Sequence, residues 1–446
     1  MLTAMQSRLA AMVAFLVLAA WFAMSAIDAF PRQLGIDFYQ FWGVPLAREA
    51  GAIRETPYVD QSRYARVLNA MAQASPSQKF RDANRLRRDL EPMGTPFLYA
   101  TFSGFSPDYE ISQRLYTMLL YTAAGAAVFV LARLRGLAGW PAACVALLVM
   151  LTFNPFAQDV RSGNVNSLQL AFLVALVAVS ARRLFTGNDW IDGLFVGALA
   201  ILVAFKPNTP WIALALALHY LAARGVRAFA IGAVEAVLLG AAAFAIGAWR
   251  MGGVRAWLEW LELARGMDGS AMSLPFERGN LSLALVISRL SPALGSVGWG
   301  LALAGILSMA LVLVLSANGQ RGDRLAAAAR NAFADPWLAV SVGILLTFAA
   351  SPLVWPHYLV LALIPIAWLM GGDGTCRVCT WGAIACYAVL SRLVIDPLVS
   401  QQMFGLLQML SLLSWTALIP GVLARAAEAQ RSATTPPAGA ESRKGT

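Results

Sequence analysis

Charge is the scarcest property of this chain. Of 446 residues, 13% are charged and 59% hydrophobic, and mean hydropathy is +0.63. Soluble domains carry about 25% charged residues. Half that charge with an apolar excess excludes a water-soluble globule and, away from the ends, disorder. Histidine occurs twice and cysteine four times, as Cys144, Cys376, Cys379 and Cys386. Cys376 and Cys379 form a CxxC, but no second pair or neighbouring His completes a zinc site, and no disulfide framework is implied. The pair reads as free thiols at a membrane boundary, and no metal site is expected. Walker loop, dinucleotide fingerprint, HExxH and GxSxG are all missing from any usable context, so no cofactor is expected and no known motif would hold a soluble nucleotide-sugar. Net charge is +10, from 34 Lys+Arg against 24 Asp+Glu. The basic residues are scattered and form no stripe, which argues against a nucleic-acid partner; retention of Lys and Arg in cytoplasmic loops explains most of the excess.

What the chain has instead is long apolar runs. A spanning helix needs about 20 mainly apolar residues, about 17 at the short end, and in lipid such runs can only be helices. Twelve are read, at 9–30, 111–132, 139–154, 167–183, 190–206, 209–223, 227–248, 293–316, 336–352, 357–371, 378–397 and 402–423. The expected fold is an all-α integral membrane protein. The first run lacks a small-residue cleavage site and is followed by Asp28 and Pro31, so it is taken as a retained helix. Arg133/Arg135, Arg182/Arg183, Arg224/Arg227, Arg321/Arg324/Arg330 and the tail residues Arg425, Arg431, Arg443 and Lys444 all fall on one side. That side is expected to be cytoplasmic, with both termini there. One transmembrane domain spans 1–425, and the polar tail 426–446 is expected to be disordered. Two long loops lie on the opposite side, at 31–110 and 249–292. The first holds ten basic and nine acidic residues, and 58–90 within it reads as one or two amphipathic helices near the membrane surface. Loops of this size in a compact bundle are usually functional. The Ala-, Arg- and Gly-rich composition with short loops suits a bacterial inner membrane. Oligomeric state is unreadable.

Polar residues at helix ends gather on the outer side. They are Asp37 in GIDFYQFW, Asp159, Arg161, Asn164 and Asn166 in QDVRSGNVNS, Lys206 in FKPNTPW, Arg278 and Asn280 in ERGNLS, and His357 in SPLVWPHY. Each has a plainer reading. Asp37 could cap a helix, Lys206 could snorkel to the interface, His357 could pack a helix end, and Arg161 could pair locally with Asp159. Glu235 sits mid-helix, where an ionisable group is expensive, and reads as a bond to a neighbouring helix. Jointly, a carboxylate with several cations at one rim describes a site for an anionic lipid headgroup, with Trp355, Tyr39 and Phe41 offering stacking surface. A membrane enzyme at this face must take an activated substrate that is itself a lipid.

With these residues in hand, the chain resembles glycosyltransferase family 87, the polyprenyl-phosphate-mannose-dependent alpha-mannosyltransferases of C-type glycosyltransferase architecture. The matching pieces are GIDFYQFW, PYVDQSRY, SGNVNSLQL, AFKPNTPW, RGNLSL and SPLVWPHYLV, in order over about 35–365. The resemblance implies a catalytic carboxylate at Asp37, a basic residue at Lys206 and the HY element at His357. Two departures concern the substrate groove: GTPFLYATF stands where a Tyr-Pro-Pro element is expected, and Gly163-Asn164-Val165-Asn166 where Gly-Gln-x-Asn is expected.

The chemistry that follows is transfer of a sugar, mannose by the resemblance, from a polyprenyl-phosphate donor to a hydroxyl of a lipid or glycan acceptor at the periplasmic face, with inversion. Asp37 would be the general base. Lys206, with Arg161, Arg278 or His357, would hold the donor phosphate, and Tyr39, Phe41, Asn164, Asn166, Asn280 and Trp355 would line the substrate site. Partners are then the lipid-linked donor, the acceptor and membrane lipids. Two alternatives stay open: a transferase of another sugar, and a secondary transporter, which would be expected to show repeats and a midplane polar site.

Overall fold

The computed structural model describes residues 2–29, 33–51, 53–88, 90–91, 93–266, 279–317, 329–371 and 376–434. The described chain is helical, with one isolated bridge between Phe153 and Ser391. In order the helices are α1 Leu2–Ala29, α2 Ile36–Ala50, α3 Gln61–Ala74, α4 Gln78–Leu86, α5 Pro96–Phe102, α6 Tyr109–Leu134, α7 Gly139–Thr152, α8 Asn154–Ser162, α9 Asn166–Ala181 and α10 Asp189–Phe205. There follow α11 Pro210–Met251, α12 Val254–Gly266, α13 Leu283–Leu290, α14 Gly295–Ala317 and α15 Pro336–Ala350. A 3-10 turn, Pro356–Ala362, leads into α16 Leu363–Met370, then α17 Arg377–Val389, α18 Arg392–Ser400, α19 Phe404–Thr416 and α20 Leu418–Thr434.

Length and composition make four described stretches able to cross a membrane: Tyr109–Leu134, Pro210–Met251, Pro292–Ser316 and Phe404–Glu428. Shorter apolar helices lie at Met12–Ile27, Gly139–Thr152, Asn166–Ala181, Pro336–Ala350 and Pro356–Met370. Large apolar side chains such as Val237, Leu301 and Met409 are exposed on these helices, which only a lipid surround makes tolerable. The protein is membrane-embedded.

The two runs read at 209–223 and 227–248 are one long helix in name only. Gly225 sits at φ 82° and ψ 176°, outside helical space, and turns the chain there. The two halves of α11 both flank α10. Phe195 stacks on Tyr220 of the first half at 5.6 Å, and Gly193 and Gly197 admit Gly232, Glu235 and Leu239 of the second. Arg224, beside the turn, pairs with Asp192 at 2.7 Å and Asp189 at 3.6 Å at the start of α10. Glu235 therefore does pack on its neighbour, but its Oε2 has no hydrogen-bond partner among the described residues.

At the other end of these helices the loop 31–110 folds into a cap. Helices α3 and α4 form where amphipathic helices are expected, each capped by a side chain: Asp60 accepts from Arg63 N and Ser77 from Phe80 N. Tyr64, Leu68, Ala72 and Phe80 are their buried face. The cap is tied down by Thr95 Oγ1 donating to Ala204 O at 2.6 Å and Trp260 Nε1 donating to Met93 O at 3.3 Å. Its entry is a crossing of two left-handed glycines. Gly35 (φ 64°) precedes α2 and Gly163 (φ 70°) ends α8; a Cβ on Gly163 would lie 2.7 Å from Phe38 Cβ and 3.2 Å from Gly35 Cα.

Three expectations change. Cys376 and Cys379, read as free thiols, are joined by a disulfide, because the start of α17 sets their Cα atoms 5.3 Å apart, within bridging reach. The tail expected to lack structure from Ala426 continues as α20 to Thr434; residues 435–446 lie outside the described residues. The run at 378–397 is broken between α17 and α18 at Leu390–Ser391, where Asn154 N donates to Leu390 O at 3.0 Å.

The glycine crossing yields a stability prediction. Gly163→Ala combines an unfavourable φ with a clash against Phe38 Cβ and costs about 1–3 kcal/mol. Gly187→Ala shares a positive φ (84°) but has open space around it and should cost less. Thermal unfolding of the two variants in detergent checks the order; equal melting points would show that the crossing is not tight.

Candidate active site

Helix α2 supplies the carboxylate. Ile36, Asp37, Gln40 and Phe41 share one helical face and line a cavity of about 940 Å³, large enough for a substrate-sized ligand. Tyr39 lies two residues from Asp37, on the other side of the helix. It is fully buried, its hydroxyl accepts from Asn84 Nδ2 at 2.7 Å, and burial pushes its phenol up to about 12. Tyr39 is therefore not on the cavity wall, whereas Phe41 is.

Both Asp37 oxygens have donors. Oδ1 accepts from Arg87 Nη2 at 2.9 Å and Oδ2 from Asn164 Nδ2 at 2.8 Å. The orientation of the Asn164 amide is dictated by its other face. Its Oδ1 accepts from Val165 N at 2.8 Å and from Lys206 Nζ at 3.1 Å, both donor-only groups. The amide nitrogen is left to face Asp37. Asn166 repeats the device: its Oδ1 accepts from Lys206, and its Nδ2 donates to Asp159 Oδ1 at 2.8 Å.

Lys206 follows the last residue of α10 and is 7% exposed. Two amide oxygens and the face of the Tyr358 ring, 4.2 Å from Nζ, surround its ammonium. Burial pushes its pKa down to about 7, opposed by Asp159 and Asp37. It does not snorkel. Asp159 is fully buried and caps α9: Oδ2 accepts from Ser167 N at 2.8 Å and Ser167 Oγ at 2.6 Å. Burial raises its carboxyl above the usual range, and the Ser167 and Asn166 hydrogen bonds oppose this.

The remaining expected site residues separate cleanly. His357 and Trp355 line the cavity, and His357 Nε2 has no partner among the described residues. Arg161 does not pair with Asp159 and is off the wall; Asp159 and Val160 occupy the buried face of α8, so Arg161 points out and is exposed. Asn280 is buried as a clamp, its Nδ2 donating to Pro352 O at 3.0 Å and its Oδ1 accepting from Val354 N at 2.9 Å. It holds the loop before His357 in place and leaves the wall to Gly279. Asn166 is likewise buried behind Asn164. Arg278 lies outside the described residues.

Sequence reading missed Arg87 and Glu91. Arg87 ends α4, lines the cavity, and bridges Asp37 to Glu91 Oε2 at 3.2 Å. Nothing in its local sequence separates it from Arg85 or Arg88; only the docking of α4 does. The wall also has an apolar part, with Leu86, Met93, Trp260, Leu263 and Leu353.

A carboxylate, an amide relay and buried cations facing a cavity in an apolar helical bundle describe a membrane-embedded transferase. The sequence pattern of glycosyltransferase family 87 matches residues 92–352, more than half of the chain, and the chain belongs to that family. Membership makes it a membrane glycosyltransferase with a sugar donor and an acceptor, which replaces the transporter alternative. No curated protein and no solved structure matches the chain. The matched stretch includes Asp159, Asn164, Asn166, Lys206 and Asn280; Asp37, Arg87 and His357 lie outside it.

Because Asn164 hydrogen-bonds to both Asp37 and Lys206, Asn164→Ala should displace the carboxylate and lower kcat for sugar transfer about 10²-fold. Single-turnover assays check this, and a kcat near the wild-type value would remove Asn164 from the site's geometry.

Proposed function

We propose that the chain moves a sugar, mannose in the reading favoured here, from a polyprenyl-phosphate donor to a hydroxyl of a lipid or glycan acceptor. The observation that carries this reading is the placement of Asp37, at the cavity floor, between a cation and an amide that is itself held by Lys206. The acceptor hydroxyl enters against Asp37. As its oxygen attacks the anomeric carbon, the C–O bond to phosphate breaks, the proton passes to the Asp37 carboxylate, and polyprenyl phosphate leaves with the bonding electron pair. One displacement inverts the anomeric configuration.

The leaving phosphate is a stable anion and needs no strong general acid. It needs positive potential where charge develops, which preorganised groups supply at low reorganisation cost. Lys206 provides it from within the wall, beside His357 Nε2, which has no partner among the described residues. The apolar side of the cavity, Leu86, Met93, Trp260 and Leu263, suits the first isoprene units. Trp355 and Phe41 offer surface for a sugar ring. The donor and acceptor are both membrane-borne in this reading, and the active face is periplasmic in a bacterial inner membrane, with no metal or cofactor required.

The test is transfer of label from radiolabelled polyprenyl-phosphate-mannose into a bacterial lipid extract by the purified protein. Asp37→Asn should lower kcat by about 10²–10⁴-fold, the usual contribution of a positioned base, without altering the melting point. Equal transfer by both proteins would remove Asp37 as base. Transfer from other polyprenyl-phosphate sugars but not from mannose would change the sugar.

The Lys206 pKa of about 7 adds a pH dependence. Raising pH through that value strips the ammonium proton, removes positive charge from the site and weakens donor binding. KM for the donor should therefore rise above pH 7 in wild type. Lys206→Arg, which stays charged, should flatten this limb; an unchanged limb would assign it to another group.

A further inference from the structure

Arg87 has a bonding pattern that the proposed chemistry has not used. Its Nη2 donates to Asp37 Oδ1 at 2.9 Å and its Nη1 to Glu91 Oε2 at 3.2 Å, while its Nε, buried, has no partner among the described residues. The guanidinium lines the cavity and its side chain is 25% exposed. Lys206, by contrast, has its ammonium enclosed by Asn164, Asn166 and Tyr358. Of the two cations at the floor, Arg87 is the one with an unpartnered donor, among the described residues, on a partly exposed side chain.

We propose, building on Asp37 as base and a phosphate-linked donor, that Arg87 is a direct ligand of the donor phosphate and that phosphate takes it from Asp37. Nε and Nη2 lie on one edge of the guanidinium. A phosphate seated on that edge satisfies the orphaned Nε and replaces the carboxylate at Nη2, while Glu91 keeps Nη1 and holds the plane of the fork. Such bidentate, charge-assisted pairs are the strong form of arginine recognition. Asp37 keeps its hydrogen bond from Asn164 but loses its neutralising cation. It becomes a better proton acceptor only when the donor is in place. Donor binding and base activation are thereby one event, and water reaching an empty site meets an Asp37 still paired with Arg87.

The test reads binding without turnover. Polyprenyl phosphate in detergent is titrated against wild type, Asp37→Asn, Arg87→Met and the double variant. If Asp37 and phosphate compete for Arg87, Asp37→Asn should bind polyprenyl phosphate about tenfold more tightly than wild type, within the usual range of coupling between sites. That gain should vanish in the Arg87→Met background. A gain of the same size in both backgrounds would mean simple repulsion by Asp37 and overturn the proposal, as would no gain at all. Should Arg87→Met fail to fold, Arg87→Lys keeps the charge without the fork, and the gain should shrink by at least half; a full gain overturns the bidentate seat. Inorganic phosphate forms a second arm: coupling there but not with polyprenyl phosphate would assign the seat to the free ion and overturn the headgroup assignment. Loss of the proposed function would instead appear as sugar transfer surviving in Asp37→Asn, whatever the binding cycle shows.

Discussion

The side-chain amide of Asn164 is what allows opposite charges to be buried on either side of it. A carboxylate and an ammonium taken out of water each carry a penalty of several kcal/mol unless hydrogen bonds replace the lost solvent. Here Asn164 donates to Asp37 and accepts from Lys206, and Asn166 does the same between Lys206 and Asp159. An alternating series results, in which Asp37, Lys206 and Asp159 are each bonded to an amide and, among the described residues, no carboxylate pairs with the lysine. A direct Asp37–Lys206 ion pair would be a closed unit with little left for a substrate. The amide spacer keeps the two charges apart and keeps one lone pair of each Asp37 oxygen available.

That relay depends on five chain segments far apart in sequence. Asp37 arrives on α2, Arg87 at the end of α4, Asn164 in the short link between α8 and α9, Lys206 after α10, and His357 in the 3-10 turn before α16. Their meeting point is set by close backbone approach more than by side-chain attraction. The Gly35–Gly163 crossing admits α2 to the link carrying Asn164, and Gly35 N donates to Arg161 O at 3.3 Å across it. The same link ends α8 with hydrogen bonds from Gly163 N and Asn164 N to Asp159 O, while the Asp159 side chain caps α9. One ten-residue stretch thus closes a helix, opens the next and presents the relay. The apolar part of the wall is drawn instead from the cap, with Leu86 and Met93, and from α12, with Trp260 and Leu263.

How much of this could be read in advance follows from the same facts. Apolar runs place polar residues at helix ends, and topology alone puts Asp37, Asn164, Lys206 and His357 at one rim; the folded chain brings those four to one cavity. Helical phase within short elements was not legible. Arg161 and Asp159 are two residues apart in a nine-residue helix, and only its docking decides that Asp159 turns in and Arg161 out. Tyr39 fails for the same reason, lying across α2 from Asp37. Asn280 looked like a ligand because it is polar in an apolar setting, yet a backbone clamp satisfies that polarity equally well. Arg87 was invisible because it is one arginine among several on a polar helix, and its role exists only once α4 lies over α2. The pairing of Cys376 with Cys379 turns on local backbone geometry that spacing permits without requiring.

The charge balance of the floor constrains any account of anionic substrate binding. Arg87 and Lys206 contribute two positive charges; Asp37, Glu91 and Asp159 contribute up to three negative ones. Counted over the described residues, the resting site has no net positive charge to offer a phosphate, and burial of Asp159 disfavours its charged form without changing that balance in favour of an anion. Attraction must come from redistribution: a cation shared between two carboxylates has to be drawn from one of them. Lys206 is poorly placed for this, since moving it would strip Asn164 and Asn166 of the donor that orients both amides. Arg87 can pivot about Glu91 and leave the relay intact. A site that is neutral when empty and becomes anion-binding only by uncovering its own base avoids holding an exposed, activated carboxylate in front of water. The arrangement of charges, not their number, makes the cavity suitable for glycosyl transfer.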